Sequence, residues 1–283
     1  MNNQFHRTEI LIGTENLEKI KNQKIAIFGI GGVGSYVAEA LARVGIQKFI
    51  LIDNDKIDIT NINRQIHATH ETIGNLKVEE MKKRIKQINP QAQIETISEF
   101  VTEENIPNII DQSIDYIVDA IDTVKSKIEI IKIAKSQNIP IISSMGTANK
   151  LEPTKLEVTD IYKTKTCPLA KIIRKELRKL EIPDLKIVYS TEEPKTTKQE
   201  GSKTLGSPVS GTAVPDPFAD AHAPELGTET GRIGKPSCRR DDRPAGTGAA
   251  TGKHGDPPSG SGHYHVHYSG AAGESQRFLP VCL

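Results

Sequence analysis

The chain has little cysteine, and none of it is paired: Cys167, Cys238 and Cys282 form no CxxC motif and no disulfide-like framework. That argues against a cysteine-paired zinc ribbon and a disulfide-stapled secreted scaffold, and it fits a reducing cytoplasm. No apolar run approaches the roughly 20 residues needed to span a bilayer. The N-terminal MNNQFHRTEILIG lacks the basic-then-apolar profile of a signal peptide. A cytoplasmic protein with no membrane partner is therefore expected. Net charge is nearly absent too. The formal value is +1, too small to steer nucleic acid or membrane to the whole molecule, so any basic patch must be local.

What is present divides in two. Residues 1–206 are rich in Ile, Lys, Asn and Glu and strongly periodic. From Ser207 onward Pro, Gly, Ala, His, Arg and Asp take over. Twelve of the 22 glycines and nine of the 16 prolines fall in the last 77 residues, where Ile233 is the one isoleucine. Such a segment buries too little apolar surface to offset ordering its backbone, so disorder is expected over 207–283. A natural tail accounts for this, and so does a frameshift or a join of unrelated DNA, because the first composition uses AT-rich codons and the second GC-rich ones. His263, His265 and His267 cluster there without a fold to orient them toward a metal.

The first part alternates strand and helix. Strands are expected at 24–28, 49–52, 94–97, 115–119 and 139–143. Helices are expected at 33–43, 76–88, 103–110, 124–136 and 168–180. This order predicts an α/β, Rossmann-like, mostly parallel sheet with helices on both faces. Ligands of such sheets bind at the carboxyl ends of the strands.

The chemistry-bearing residues gather at those ends. Gly29-Ile30-Gly31-Gly32-Val33-Gly34 follows the first strand and opens a helix. Gly29, Gly31, Gly32 and Gly34 let the backbone approach a phosphate, and the helix start offers it free N–H groups. Asp53 ends the second strand, at the spacing that suits ribose hydroxyls, and Asp55 follows. By itself the loop also fits a dinucleotide. Next come Asn61, Arg64 and Gln65, then Lys77 at the start of a helix, then Asp122 beyond the fourth strand. An arginine and a lysine beside phosphates suit an enzyme that displaces pyrophosphate, where negative charge grows on the leaving group. A carboxylate at Asp122 suits Mg2+ on ATP.

This pattern resembles the ubiquitin-activating-enzyme-like superfamily, which includes sulfur-carrier adenylyltransferases. The resemblance implies that Asp53 grips ribose, that Asn61, Arg64 and Lys77 contact phosphates, and that Asp122 binds magnesium. It also implies a homodimer in which Arg7 reaches the partner's ATP site. Finer stretches resemble the threonylcarbamoyladenosine dehydratase branch: Arg7–Gly13, Thr60–Ala68, Val118–Ile128, Ile141–Thr154 and Asp160–Lys179. That branch implies adenylation of a carboxylate on a modified adenosine beside the tRNA anticodon, followed by cyclisation with loss of water. Closure within one side chain needs positioning more than a protein nucleophile. Cys167, the one cysteine before residue 207, then reads as structural at a helix start, with a nucleophilic role left open.

A tRNA substrate implies a local basic surface, and 168–180 supplies one. Leu169, Ile172, Ile173, Leu177 and Leu180 are expected inside, with Lys171, Arg174, Lys175, Arg178 and Lys179 mainly outside. The resemblance breaks after Gly201–Gly206, where family members continue with a strand and an apolar helix; their loss would uncover sheet surface and leave this chain poorly stable or inactive. Three alternatives stay open at this level. They are activation of a sulfur-relay or ubiquitin-like carrier protein, an NAD-dependent oxidoreductase, and a nucleotide-binding remnant without turnover.

Overall fold

The computed structural model describes residues 3–195. The expected tail, its histidine cluster and the break after Gly206 lie outside the described residues. Among the described residues one seven-stranded sheet has the order β3-β2-β1-β4-β5-β7-β6. Its strands are β1 (Lys24–Phe28), β2 (Lys48–Ile52), β3 (Gln93–Ile97), β4 (Tyr116–Asp119), β5 (Ile141–Ser144), β6 (Leu156–Asp160) and β7 (Lys186–Ser190). All neighbours run parallel except β6, which lies antiparallel to β7 at one edge. The α/β architecture and the first five strands agree with the sequence reading. The pair β6–β7 and two N-terminal helices, α1 (His6–Ile12) and α2 (Thr14–Asn22), were not expected.

The central strands are short apolar runs because both faces are covered. In β1, Ile25 through Phe28 are all fully buried. One face packs α3 (Gly34–Val44) and α4 (Lys77–Ile88), with Ala38, Ala42, Val78, Met81 and Ile85 in the seam. The other packs α5 (Ile106–Ile109), α6 (Val124–Ser136) and α7 (Pro168–Lys179) through Ile130, Ile131, Ile173 and Leu177. The inner face of α7 is Ala170, Ile173 and Leu177 with Leu169 half-buried beside them, narrower than expected. Ile172 and Leu180 are 49% and 43% exposed, and half-buried Arg174 turns back to donate to the carbonyl of Thr164 at 3.0 Å.

From β1 the chain moves outward to β2 and β3, then returns to add β4 and β5 on the other side. The strand order thus reverses between β1 and β4, and a crevice opens above their carboxyl ends. Gly29 follows β1 at φ +88°, and a Cβ there would lie 2.8 Å from the carbonyl oxygen of Ala120 just past β4. The two strand ends therefore meet backbone to backbone.

Candidate active site

Four N–H groups stand free at this crevice. Ser35 N donates to Gly31 O, starting α3, while no hydrogen bond from the N–H of Gly31, Gly32, Val33 or Gly34 is present among the described residues. An eleven-residue helix behind them adds its dipole, so the loop is built to receive an anion. The glycines divide by role. A Cβ on Gly34 would overlap the carbonyl oxygen of Gly29 and come within 2.9 Å of its carbon, so Gly34 and Gly29 serve close packing of the loop. A Cβ on Gly31 or Gly32 would meet only Gln65 at 4.0 Å or Arg64 at 3.6 Å. Those two glycines keep the open side of the loop clear.

Asp53 fixes the loop's other flank. Its carboxylate accepts from the N–H of Ile30 at 2.7 Å and of Asp55 at 2.9 Å. Burial pushes its pKa up, partly countered by the Lys77 charge and the two N–H donors. A carboxylate can accept about four hydrogen bonds, so two positions remain for a ligand hydroxyl.

From Asp55 the chain leaves the sheet and returns. An antiparallel bridge pairs Lys56 with Leu76, and Ile57 N donates to Asn75 O at 2.8 Å. This excursion brings Lys77, the first residue of α4, back onto Asp55: Nζ lies 2.5 Å from its carboxylate and the lysine is 5% exposed. At the far end, Asp58 and Asn61 form a reciprocal cap. The Asp58 carboxylate accepts from Thr60 N, and Asn61 Oδ1 accepts from Asp58 N at 3.1 Å. Asn61 O then accepts from the N–H groups of Arg64 and Gln65. Asn61 is thus a buried hinge pin of the turn carrying Arg64 and Gln65 to the glycines, with Nδ2 making no hydrogen bond among the described residues. Arg64 Nη1 donates to Thr60 O at 2.7 Å and its stem lines Gly32.

Buried polar atoms are left without partners here. Gln65 Oε1 has none, and neither ring nitrogen of His67 has one. Burial, reinforced by the Lys77 and Arg84 charges against Glu80, lowers the His67 pKa to about 4. It is a neutral imidazole packed behind the site. Buried groups of this kind are uncommon and point to an occupant or ordered water. Asp122 is exposed, three residues past the end of β4, with no ion pair among the described residues.

Beneath Asp122 lies a group the sequence reading did not single out. Lys127 and Asp119 are both 0% exposed. Lys127 Nζ sits 2.8 and 2.9 Å from the two carboxylate oxygens and donates to Ser144 O at 3.0 Å. Ser143 Oγ donates to Asp119 at 2.5 Å. The network ties α6 to the ends of β4 and β5. Cys167 caps α7, accepting from Ala170 N at 3.5 Å, and is buried. Arg7, by contrast, lies exposed on α1, whose Ile10 and Leu11 are 71% and 82% exposed.

No cluster of three or more His, Cys, Asp or Glu able to hold a metal occurs among the described residues. No described helix is long and apolar enough to cross a membrane.

Fold and site together define a nucleotide-binding α/β domain with an anion-receiving glycine loop at its topological switch. The chain belongs to the ThiF family, whose model matches residues 5–183. It is similar to the tRNA threonylcarbamoyladenosine dehydratase of Bacillus subtilis (strain 168), with 45% identity over 208 residues, 73% of this chain and 82% of the relative. Among solved structures it is similar to the E. coli tRNA N6-threonylcarbamoyladenosine dehydratase in complex with ATP (TM-score 0.66, 37% identity, 68% of this chain and 82% of that one). The AMP complex of that enzyme gives a TM-score of 0.67 at 36% identity, covering 70% of this chain and 84% of that one.

Proposed function

We propose that this chain is an ATP-dependent dehydratase that cyclises threonylcarbamoyladenosine in tRNA through adenylation of its carboxylate. The observation that carries the nucleotide half is the row of free N–H groups from Gly31 to Gly34, open toward Arg64 and Gln65. The RNA half rests on the 45% identity to a dehydratase.

The residues fit ATP with Mg2+. The loop N–H groups receive phosphate oxygens and Asp53 accepts from ribose. Arg64 and Lys77 supply positive charge where pyrophosphate leaves, Lys77 turning from Asp55 toward the phosphates. Asn61 holds the turn, and its free Nδ2 is a further donor. A single exposed carboxylate at Asp122, with no cluster of further ligands among the described residues, suits Mg2+, which keeps several waters and shares its ligation with phosphates. The ion would neutralise charge on the leaving phosphates. Attack of the substrate carboxylate on the α-phosphorus forms one P–O bond as the bond to pyrophosphate breaks. A nucleophile of the same side chain then displaces AMP, a step needing orientation more than a protein nucleophile. Cys167, buried as a helix cap, takes no part. A homodimer in which exposed Arg7 crosses to the partner's nucleotide completes the reading.

The test is exchange of radiolabelled pyrophosphate into ATP. Modified tRNA should stimulate exchange, and Asp122→Asn should abolish it while leaving the melting temperature unchanged. Stimulation by a carrier protein's C-terminus instead would overturn the substrate assignment.

A further inference from the structure

Most basic side chains of α2, α4 and α6 pair within the helix or with neighbours, Lys82, Lys86 and Lys125 being the exceptions among the described residues. In α2, Lys19 meets Glu15 and Lys21 meets Glu18. In α4, Lys83 meets Glu80 and Arg84 meets Glu39. In α6, Lys132 meets Glu129 and Lys135 reaches Asp184. Helix α7 and the turn before it depart from this. Residues 161–180 hold seven basic residues against one acidic, a net of +6 in a chain of formal charge +1. The one acid, Glu176, is taken by Lys179 at 2.8 Å. Lys163, Lys165, Lys171 and Lys175 are exposed and in no ion pair among the described residues, and Arg178 lies over the Tyr162 ring. The nearby carboxylate of Asp160 is occupied by the N–H groups of Tyr162 and Leu185.

Placement makes this row more than a solvated face. Cys167, at the start of α7, sits 4.0 Å from the carbonyl oxygen of Gly146, two residues past the end of β5. The helix therefore begins on the carboxyl-edge rim that carries the glycine loop and Asp122. It then runs back toward the start of β7. Lys171 and Lys175 are four apart, on one stripe of the helix, and Lys165 sits at its rim end. The stripe is roughly 18 Å long for twelve residues.

We propose that this stripe is a docking track for the RNA phosphate backbone. It enters the site at Lys165 and leaves along Lys171, Lys175 and Arg178. The proposal rests on the tRNA reading above and deepens it by assigning the surface. The contacts position the substrate and read no bases.

The experiment compares tRNA binding by the full chain with that of the triple variant Lys165→Gln, Lys171→Gln, Lys175→Gln, and of a control with Lys19→Gln and Lys83→Gln. All three side chains are exposed, so the variant keeps the fold. An ATP-induced rise in melting temperature equal to wild type verifies this. The triple variant should bind tRNA at least about tenfold more weakly at low salt, and its slope of log K against log[salt] should be shallower by about 2–3. The control should match wild type. If the triple variant binds with wild-type affinity and slope, the track is wrong while the dehydratase reading stands. If wild type binds ATP but no tRNA at all, both fall. If the control loses as much as the triple variant, the binding is diffuse and the track is again wrong.

Discussion

Two glycines three residues apart should respond to the same methyl group in opposite ways. At Gly34 the added carbon overlaps the Gly29 carbonyl and lies within 2.9 Å of its carbon, so α3 must shift away from the β1 end. Overpacking against backbone, which cannot change rotamer, should cost about 3 kcal/mol. For a domain of this size that is a fall of about 10 °C in melting temperature. At Gly31 the same carbon meets only Gln65 Nε2 at 4.0 Å, and its φ is outside the left-handed region. Alanine there should be neutral or stabilise by up to about 1 kcal/mol, through the less flexible unfolded chain. The methyl would, however, stand where a phosphate approaches the free N–H row. ATP affinity should fall at least about tenfold, or 1.4 kcal/mol. Thermal melts with and without ATP, together with calorimetric titration, separate the two effects. A Gly31→Ala protein that binds ATP as wild type does, or a Gly34→Ala protein that melts with wild type, would refute the division of roles.

Acid should weaken the fold through His67. Its pKa falls from 6.5 to about 4 on folding, so the unfolded chain binds the extra proton. The contribution is intact above pH 6.5 and is lost as pH falls toward 4, reaching about 2 kcal/mol at pH 5. Urea midpoints across this range should drop less for His67→Gln, and an imidazole resonance titrating near 6.5 in the native protein would contradict it. The Asp119–Lys127 pair should behave as a unit. Lys127→Met should cost about 3–5 kcal/mol by stranding a buried carboxylate. Adding Asp119→Leu should restore most of that loss, and simple additivity in a double-mutant cycle would show the pair to be uncoupled.

Much of the fold is legible in residue order because β1, β2 and β4 are buried on both faces and read as unbroken apolar runs. The glycine loop was equally plain, since a strand ending in glycines before a helix has few other uses. Strand β6 is hard to read because it is a half-exposed edge, with Leu156 and Val158 38% and 49% exposed and the charged Glu157 between them. Helix α1 carries Ile10 and Leu11 outward and packs only Ile12 against the core, so its pattern says little. Lys127 was hidden for another reason. A lysine in a helix is ordinarily solvated, and nothing local announces that it points inward to a strand eight residues earlier. Asn61 and Lys77 stand out in the sequence through the pattern shared with the superfamily, but their cap and ion pair depend on the 55–77 excursion folding back, which no short window of sequence contains.

The contact of Gly29 with Ala120 bears on how the site works in time. The loop and the segment carrying Asp122 stand on strand ends that touch through backbone, and the Asp119–Lys127 pair clamps one of them from below. These two walls form a stiff corner, shaped before any ligand arrives. The 55–77 excursion, closed by the single Lys56–Leu76 bridge, brings its cations to that corner and is the wall left to adjust to substrate.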